Sequence, residues 1–128
     1  MRTHITFLAL MLSRAALAAA PYGSIPLSFE ANRGQAPHAI QYLARGQGYA
    51  LLLHSTGADV RLQGGAELRI DLHGARQDTE LVGTDPLLGK SNYFTGSDPA
   101  GWRMGIPNFA RVRARDVYPG IDVVYYGN

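Results

Sequence analysis

Apolar residues in this chain come in short bursts, and no window of about 11 residues carries them at sustained i, i+3, i+4 spacing. An amphipathic helix needs that spacing to turn one stripe toward a core, so the pattern leaves strands as the building material. The clearest burst is Glu67–Leu72 (ELRIDL). There Leu68, Ile70 and Leu72 share one face, while Glu67, Arg69 and Asp71 share the other. Strict alternation of this kind implies a sheet with one wet face. Gly, Pro, Asn and Asp separate the bursts and supply the turn geometry.

The strand candidates follow in order. Ile25–Phe29 is closed by Glu30-Ala31-Asn32-Arg33-Gly34, and Ala39–Ala44 comes next. Gly46-Gln47-Gly48 leads as a tight hairpin loop into Tyr49–His54. Ser55-Thr56-Gly57 turns the chain into Ala58–Leu62, and Gly64-Gly65 turns it into Glu67–Leu72. Leu81-Val82 is a short strand candidate before the Thr84-Asp85-Pro86 turn, and at most a single helical turn is expected, around Arg115–Tyr118. Ile121–Tyr126 is the last strand, rich in β-branched and aromatic residues. The expected fold is an all-β, antiparallel β-sandwich-like domain. An apolar strand at a sheet edge invites pairing with other chains, so Ile121–Tyr126 must pair with an earlier strand or with one beyond Asn128. The second reading is preferred, which makes the domain incomplete at its C-terminus.

Residues 1–18 read as a signal peptide. Arg2 and His4 give a polar start, Ile5–Leu12 an apolar core, and Ala16-Leu17-Ala18 a small-x-small cleavage site. The expected organisation is therefore a leader over 1–18 and a β domain over 19–128, exported to the cell surface or beyond it. The leader carries Arg2 and Arg14; subtracting these two from the 12 Lys+Arg leaves 10, against 10 Asp+Glu. A neutral mature chain lacks the electrostatic footprint of a nucleic-acid binder. The absence of cysteine excludes disulfides and thiolate chemistry, and no apolar run approaches the roughly 20 residues of a membrane span.

Catalytic and metal patterns are missing. His38, His54 and His73 have no HxH or HExxH spacing, no GxSxG elbow occurs, and Gly46-x-Gly48 lacks the third glycine of a phosphate loop. Asp116 and Asp122 are the one carboxylate pair to weigh, and turn formation accounts for both. No catalytic residue, metal or cofactor is expected, and the chain reads as a non-enzyme. Two features stand out as binding candidates. Of 12 aromatic residues, seven lie in the last third, and Trp102 among them could stack on a sugar ring, although aromatics also build small cores. Arg111, Arg113 and Arg115 alternate with Val112 and Ala114, which puts three guanidinium groups on one face of an extended chain. They could grip carboxylates or phosphates, or stand as a solvated face with Asp116 or Asp122 as counter-charge.

Four stretches carry a resemblance: Pro26-Leu27-Ser28-Phe29-Glu30-Ala31-Asn32-Arg33-Gly34-Gln35, Tyr42–Tyr49 (YLARGQGY), Gly89–Gly96 (GKSNYFTG) with Trp102 after it, and Ala110–Asn128. Together they resemble the N-terminal domain, of unknown function, of bacterial SBBP (beta-propeller) repeat proteins. The resemblance covers about residues 25–128. It implies a structural or adhesive module of a secreted or surface protein, with downstream β-propeller repeats as partners and a further strand after Asn128. Extracellular glycan is the second partner to consider, through a carbohydrate-binding role, and a third reading is an accessory domain of a secreted hydrolase. The family offers no catalytic residue to carry over.

Overall fold

The computed structural model of the chain describes residues 3–8 and 27–127. Among the described residues nine strands form one sheet. They are β1 (Thr3–Leu8), β2 (Phe29–Ala31), β3 (Tyr42–Gly46), β4 (Tyr49–His54), β5 (Gly57–Leu62), β6 (Glu67–Asp71), β7 (Leu81–Tyr93), β8 (Arg103–Tyr118) and β9 (Ile121–Tyr126). The order is β1-β9-β8-β2-β3-β4-β5-β6, with β7 on β8. Every neighbouring pair is antiparallel except β1 with β9. The all-β antiparallel expectation holds, and the core is enclosed by one sheet curled into a half-barrel.

Hairpin chemistry places β3 to β6. The short turns at Gln47-Gly48, Ser55-Thr56 and Gly64-Gly65 join strands in continuous register, such as Leu51 against Ala44 and Val60. Gly57 is held at φ +153°, and a Cβ there would collide with the Ile70 carbonyl, so the β5–β6 pair closes only around glycine. Alternation then sends Phe29, Ala44, Leu51, Leu53, Ala58 and Val60 to the concave side, where they meet Leu81, Val112, Ala114, Val123 and Tyr125. Tyr125 is so enclosed that burial pushes its phenol up to about 12. A smaller cluster of Ile40, Leu43 and Leu52 is separate from this core.

The structure corrects several expected boundaries. Residues 25 and 26 lie outside the described residues, and the first strand of the domain runs Phe29–Ala31 rather than ending at Phe29. The expected Ala39–Ala44 strand starts at Tyr42. Leu81-Val82 opens a strand of 13 residues, and Arg115–Tyr118 is no helical turn but the end of the 16-residue β8. The helical turn is a 3-10 turn at Pro99–Gly101 instead. Gly, Pro and Asp along 83–89 and 103–107 break the sequence period, yet the strands continue through register shifts that absorb them. Ile121–Tyr126 does pair with an earlier strand, β8, on one side, and with β1 on the other.

The loop between β2 and β3 is organised by one side chain. Asn32 donates from Nδ2 to the carbonyls of Ala36, Pro37 and Ile40 at 3.0, 3.0 and 2.7 Å, and its Oδ1 accepts from the amides of Gly34 and Ala36. Gln35 adds a bond to the Ala31 carbonyl, and Gln41 ties the next segment to Thr79 and Leu81. Asn32→Ala removes these partners at once and is expected to cost about 2–3 kcal/mol, read as a lower urea midpoint with an unchanged slope. A midpoint unchanged within error would show that water replaces the amide fully.

Candidate functional site

A groove of about 870 Å³ opens beside this loop. Asn32, Gly34, Ala36, His38 and Gln41 form one wall; His54, Ser55 and Thr56 come from the β4–β5 turn; Asp78, Thr79 and Glu80 come from the approach to β7. Small side chains at Ala31, Gly34, Ala36 and Ala39 keep it open. Its lining carries hydroxyls, amides, two imidazoles and two carboxylates, and no lysine or arginine. A polar, uncharged ligand matches that inventory, whereas a phosphate or sulfate meets two carboxylates.

His54 stands at the inner end of the groove and links it to an ion pair. Its Nδ1 lies 3.3 Å from Thr56 Oγ1 and its Nε2 3.6 Å from Asp59 Oδ1, while Arg69 Nε donates to the same oxygen at 3.0 Å. Burial pushes the Asp59 carboxyl up, but the hydrogen bond and charge of Arg69, helped by His54, outweigh it and hold the carboxyl below its ordinary value. A second buried carboxylate, Glu30, accepts from the Tyr93 hydroxyl, whose ring lies under the Arg45 guanidinium at 5.5 Å. Arg45 Nε also donates to the Tyr93 oxygen at 3.2 Å. Burial, followed by the Glu30 bond, raises the Tyr93 phenol. Ser91 and Asn108 continue the polar contacts between β7 and β8.

The arginines expected to act together are placed on one strand with three different fates. Arg111 bonds to Asp85 at 3.3 Å and lies over the Tyr126 ring at 5.2 Å. Arg113 keeps its Nε buried with no hydrogen-bond partner. Arg115 lines a separate cavity of about 460 Å³ with Arg76, Thr79, Glu80, Val82 and Asp116. Asp85 is a counter-charge of Arg111 that the sequence analysis did not name, and Asp116 lies in the same cavity lining as Arg115. Asp122 instead accepts the Asp116 amide at 2.9 Å, at a bulge where Asp116 takes φ +50°. Both carboxylates thus lie within strands, Asp116 at the β8 bulge and Asp122 buried in β9, rather than in the turn between them. Trp102 directly precedes β8, whereas Arg111, Arg113 and Arg115 lie in its second half, and neither the contacts of Trp102 nor those of the arginines bring them together.

Trp102 belongs to an arm, a two-stranded extension of β7 and β8, that the sequence did not reveal. β8 meets β2 only at Asn108 and Phe109, and β9 from Arg111 onward. Residues 103–107 therefore pair with β7 alone among the described residues. At the tip, the Trp102 indole donates to the Gly96 carbonyl at 3.0 Å and packs edge-on to Phe94, centroids 5.1 Å apart. Phe94 is 61% exposed and Met104 63%, and Leu88 is also fully open to solvent. Arg103 lies against the groove wall, since a Cβ at Gly34 would come within 2.8 Å of its Nε. The turn residues Gly96-Ser97-Asp98-Pro99 between Phe94 and Trp102 were the signal that could have shown a hairpin.

A family model described as a domain of unknown function (DUF7948) matches residues 29–128. No curated protein and no solved structure matches the chain.

The Asp59 cluster yields a pH dependence. A carboxyl held lower in the folded state adds stability above its unfolded value, near 3.9, and that stability is lost as pH falls through the lowered folded value. Asp59→Asn is expected to lower the urea midpoint at pH 7, with the gap to the parent shrinking below about pH 4. A gap of equal size at pH 7 and pH 3 would assign the effect to packing rather than to the charge.

Proposed function

We propose that this chain, which belongs to the DUF7948 family of domains of unknown function, is a non-enzymatic structural and adhesive module of a secreted or cell-surface bacterial protein. The observation that carries this reading is the arm of β7 and β8. A two-stranded ribbon that leaves Leu88, Phe94 and Met104 in water has a solvation cost that contact with another surface removes. The rest of the reading comes from the sequence. The leader over 1–18 directs the chain to export, and the resemblance to the N-terminal domain of SBBP repeat proteins supplies propeller repeats as the neighbouring part. The words that carry the resemblance serve the scaffold: Asn32 and Gln35 hold a loop, and Asp122 holds a bulge.

A carbohydrate-binding role is the second reading, favoured by the polar, lysine- and arginine-free lining of the 870 Å³ groove and, separately, by the exposed Phe94 ring against Trp102. Trp102 serves that role less directly than its composition suggests, because its N–H is already used by Gly96.

The two readings separate on an array bearing polysaccharides and extracellular proteins. The triple variant Leu88→Ser, Phe94→Ser and Met104→Ser is expected to fold as the parent by circular dichroism and to lose at least about tenfold in retention on protein spots. Loss confined to polysaccharide spots, shared by Trp102→Ala with the fold intact, would support the carbohydrate reading. Retention unchanged in both variants would remove the arm from function.

A further inference from the structure

β9 has the character of an interior strand. Asp122, Val123, Val124 and Tyr125 are four consecutive buried residues, so both faces of the strand are covered. Strands buried on both faces occur inside sheets, with a neighbour on each edge. β8 supplies one neighbour, antiparallel, through Arg111–Tyr126, Val112–Tyr125, Arg113–Val124 and Ala114–Val123. The other edge is met by β1, in parallel, through six consecutive pairs from Thr3–Ile121 to Leu8–Tyr126. β1 lies inside the segment that reads as the leader. One stretch of chain thus has two uses, and among the described residues it is the only strand on that edge of β9. A bare edge on such a strand presents a row of amides and carbonyls that templates strand addition.

We propose that the outer edge of β9 is a strand-acceptor site, and that Thr3–Leu8 is its occupant in cis, closing the edge until the leader is removed. The ligand class is an extended segment of about six residues, free of carboxylates and fixed cations and mixing threonine with apolar residues as Thr3–Leu8 does, running parallel to β9. The closing part of this proposal rests on the leader reading; the acceptor edge does not. Thr3–Leu8 comes first in the chain and β9 last, so the pair joins the most distant segments of the sheet and forms against the largest loop-closure entropy. A parallel ladder is also slightly weaker per residue than an antiparallel one. Both effects make β1 the strand that detaches before the others.

The test uses the full chain and its double variant Ile5→Pro/Thr6→Pro. Alternate residues of a strand point their amides to the same edge, so two adjacent prolines remove a ladder donor whichever side faces β9. Amide hydrogen exchange is followed over Val123–Tyr125, with β4 and β5 as internal controls. The expected result is exchange roughly 100-fold faster in β9 of the variant, with β4 and β5 unchanged. A synthetic peptide with the sequence of residues 1–10 is expected to restore the protection in trans. Unchanged protection in the variant, or fast exchange that the peptide does not slow, would overturn the acceptor edge. Loss of protection in β4 and β5 as well would make β1 an obligatory strand and overturn the removable plug. The mass of the chain recovered from an expressing cell decides the leader separately: an intact N-terminus on exported chain ends the leader reading and leaves the exchange result standing.

Discussion

The 16 residues of β8 hold the sheet together, because three strands depend on their hydrogen-bonding groups. β7 takes one edge, while β2 and β9 share the other end to end. A strand used in this way must satisfy its backbone on both sides over most of its length, and it cannot be removed piecemeal. The junction at Phe109 shows the consequence. Phe109 faces Phe29 across the ladder and meets the Tyr42 ring edge-on at 6.0 Å, and a Cβ at Gly83 would strike its ring. Side chains from β2, β3 and β8 and the bare backbone of Gly83 in β7 therefore converge on the point where the partner of β8 changes.

Where the sheet ends, polar side chains take over the work that ladders do elsewhere. Asn32 satisfies five backbone groups in a loop with no strand partner, and Gln41 bridges that loop to the start of β7. Asp122 is fully buried and accepts an amide that the β8 bulge would otherwise leave unpaired. Glu30, Tyr93 and Arg45 connect β2, β7 and β3. Such contacts fix the loop that walls the groove and the base of the arm, so the two exposed features of the molecule rest on a rigid frame.

Much of the sheet was legible in local sequence. The bursts at Tyr49–His54 and Ile121–Tyr126 coincide with strands residue for residue, and the neighbouring hairpins differ by one residue at an end. These are segments joined by short glycine-bearing turns, where register follows from the turn itself. The long β7–β8 pair was not legible, because Pro86, Gly89, Gly105 and Pro107 interrupt the period of two. Bulges accommodate those residues, and a bulge depends on what the partner strand can offer. The candidate site residues divide in the same way. That Arg111, Arg113 and Arg115 alternate along an extended strand was readable; that Asp85 pairs with Arg111, and that Trp102 lies at the tip of the arm, was not.

Alternation and turn residues alone determined that this chain is antiparallel β-structure with one apolar face, since a period of two permits only one arrangement of side chains about a strand. Tertiary structure decided which apolar residues that face covers. Leu68 and Ile70 sit in the cleanest alternating segment, yet they remain 51% and 37% exposed because β6 is at the end of the sheet order with nothing beyond it among the described residues. Val124 sits off any alternating polar pattern and is buried, because β9 lies between two strands. Burial is set by a strand's place in the sheet, and that place depends on contacts between segments far apart in sequence.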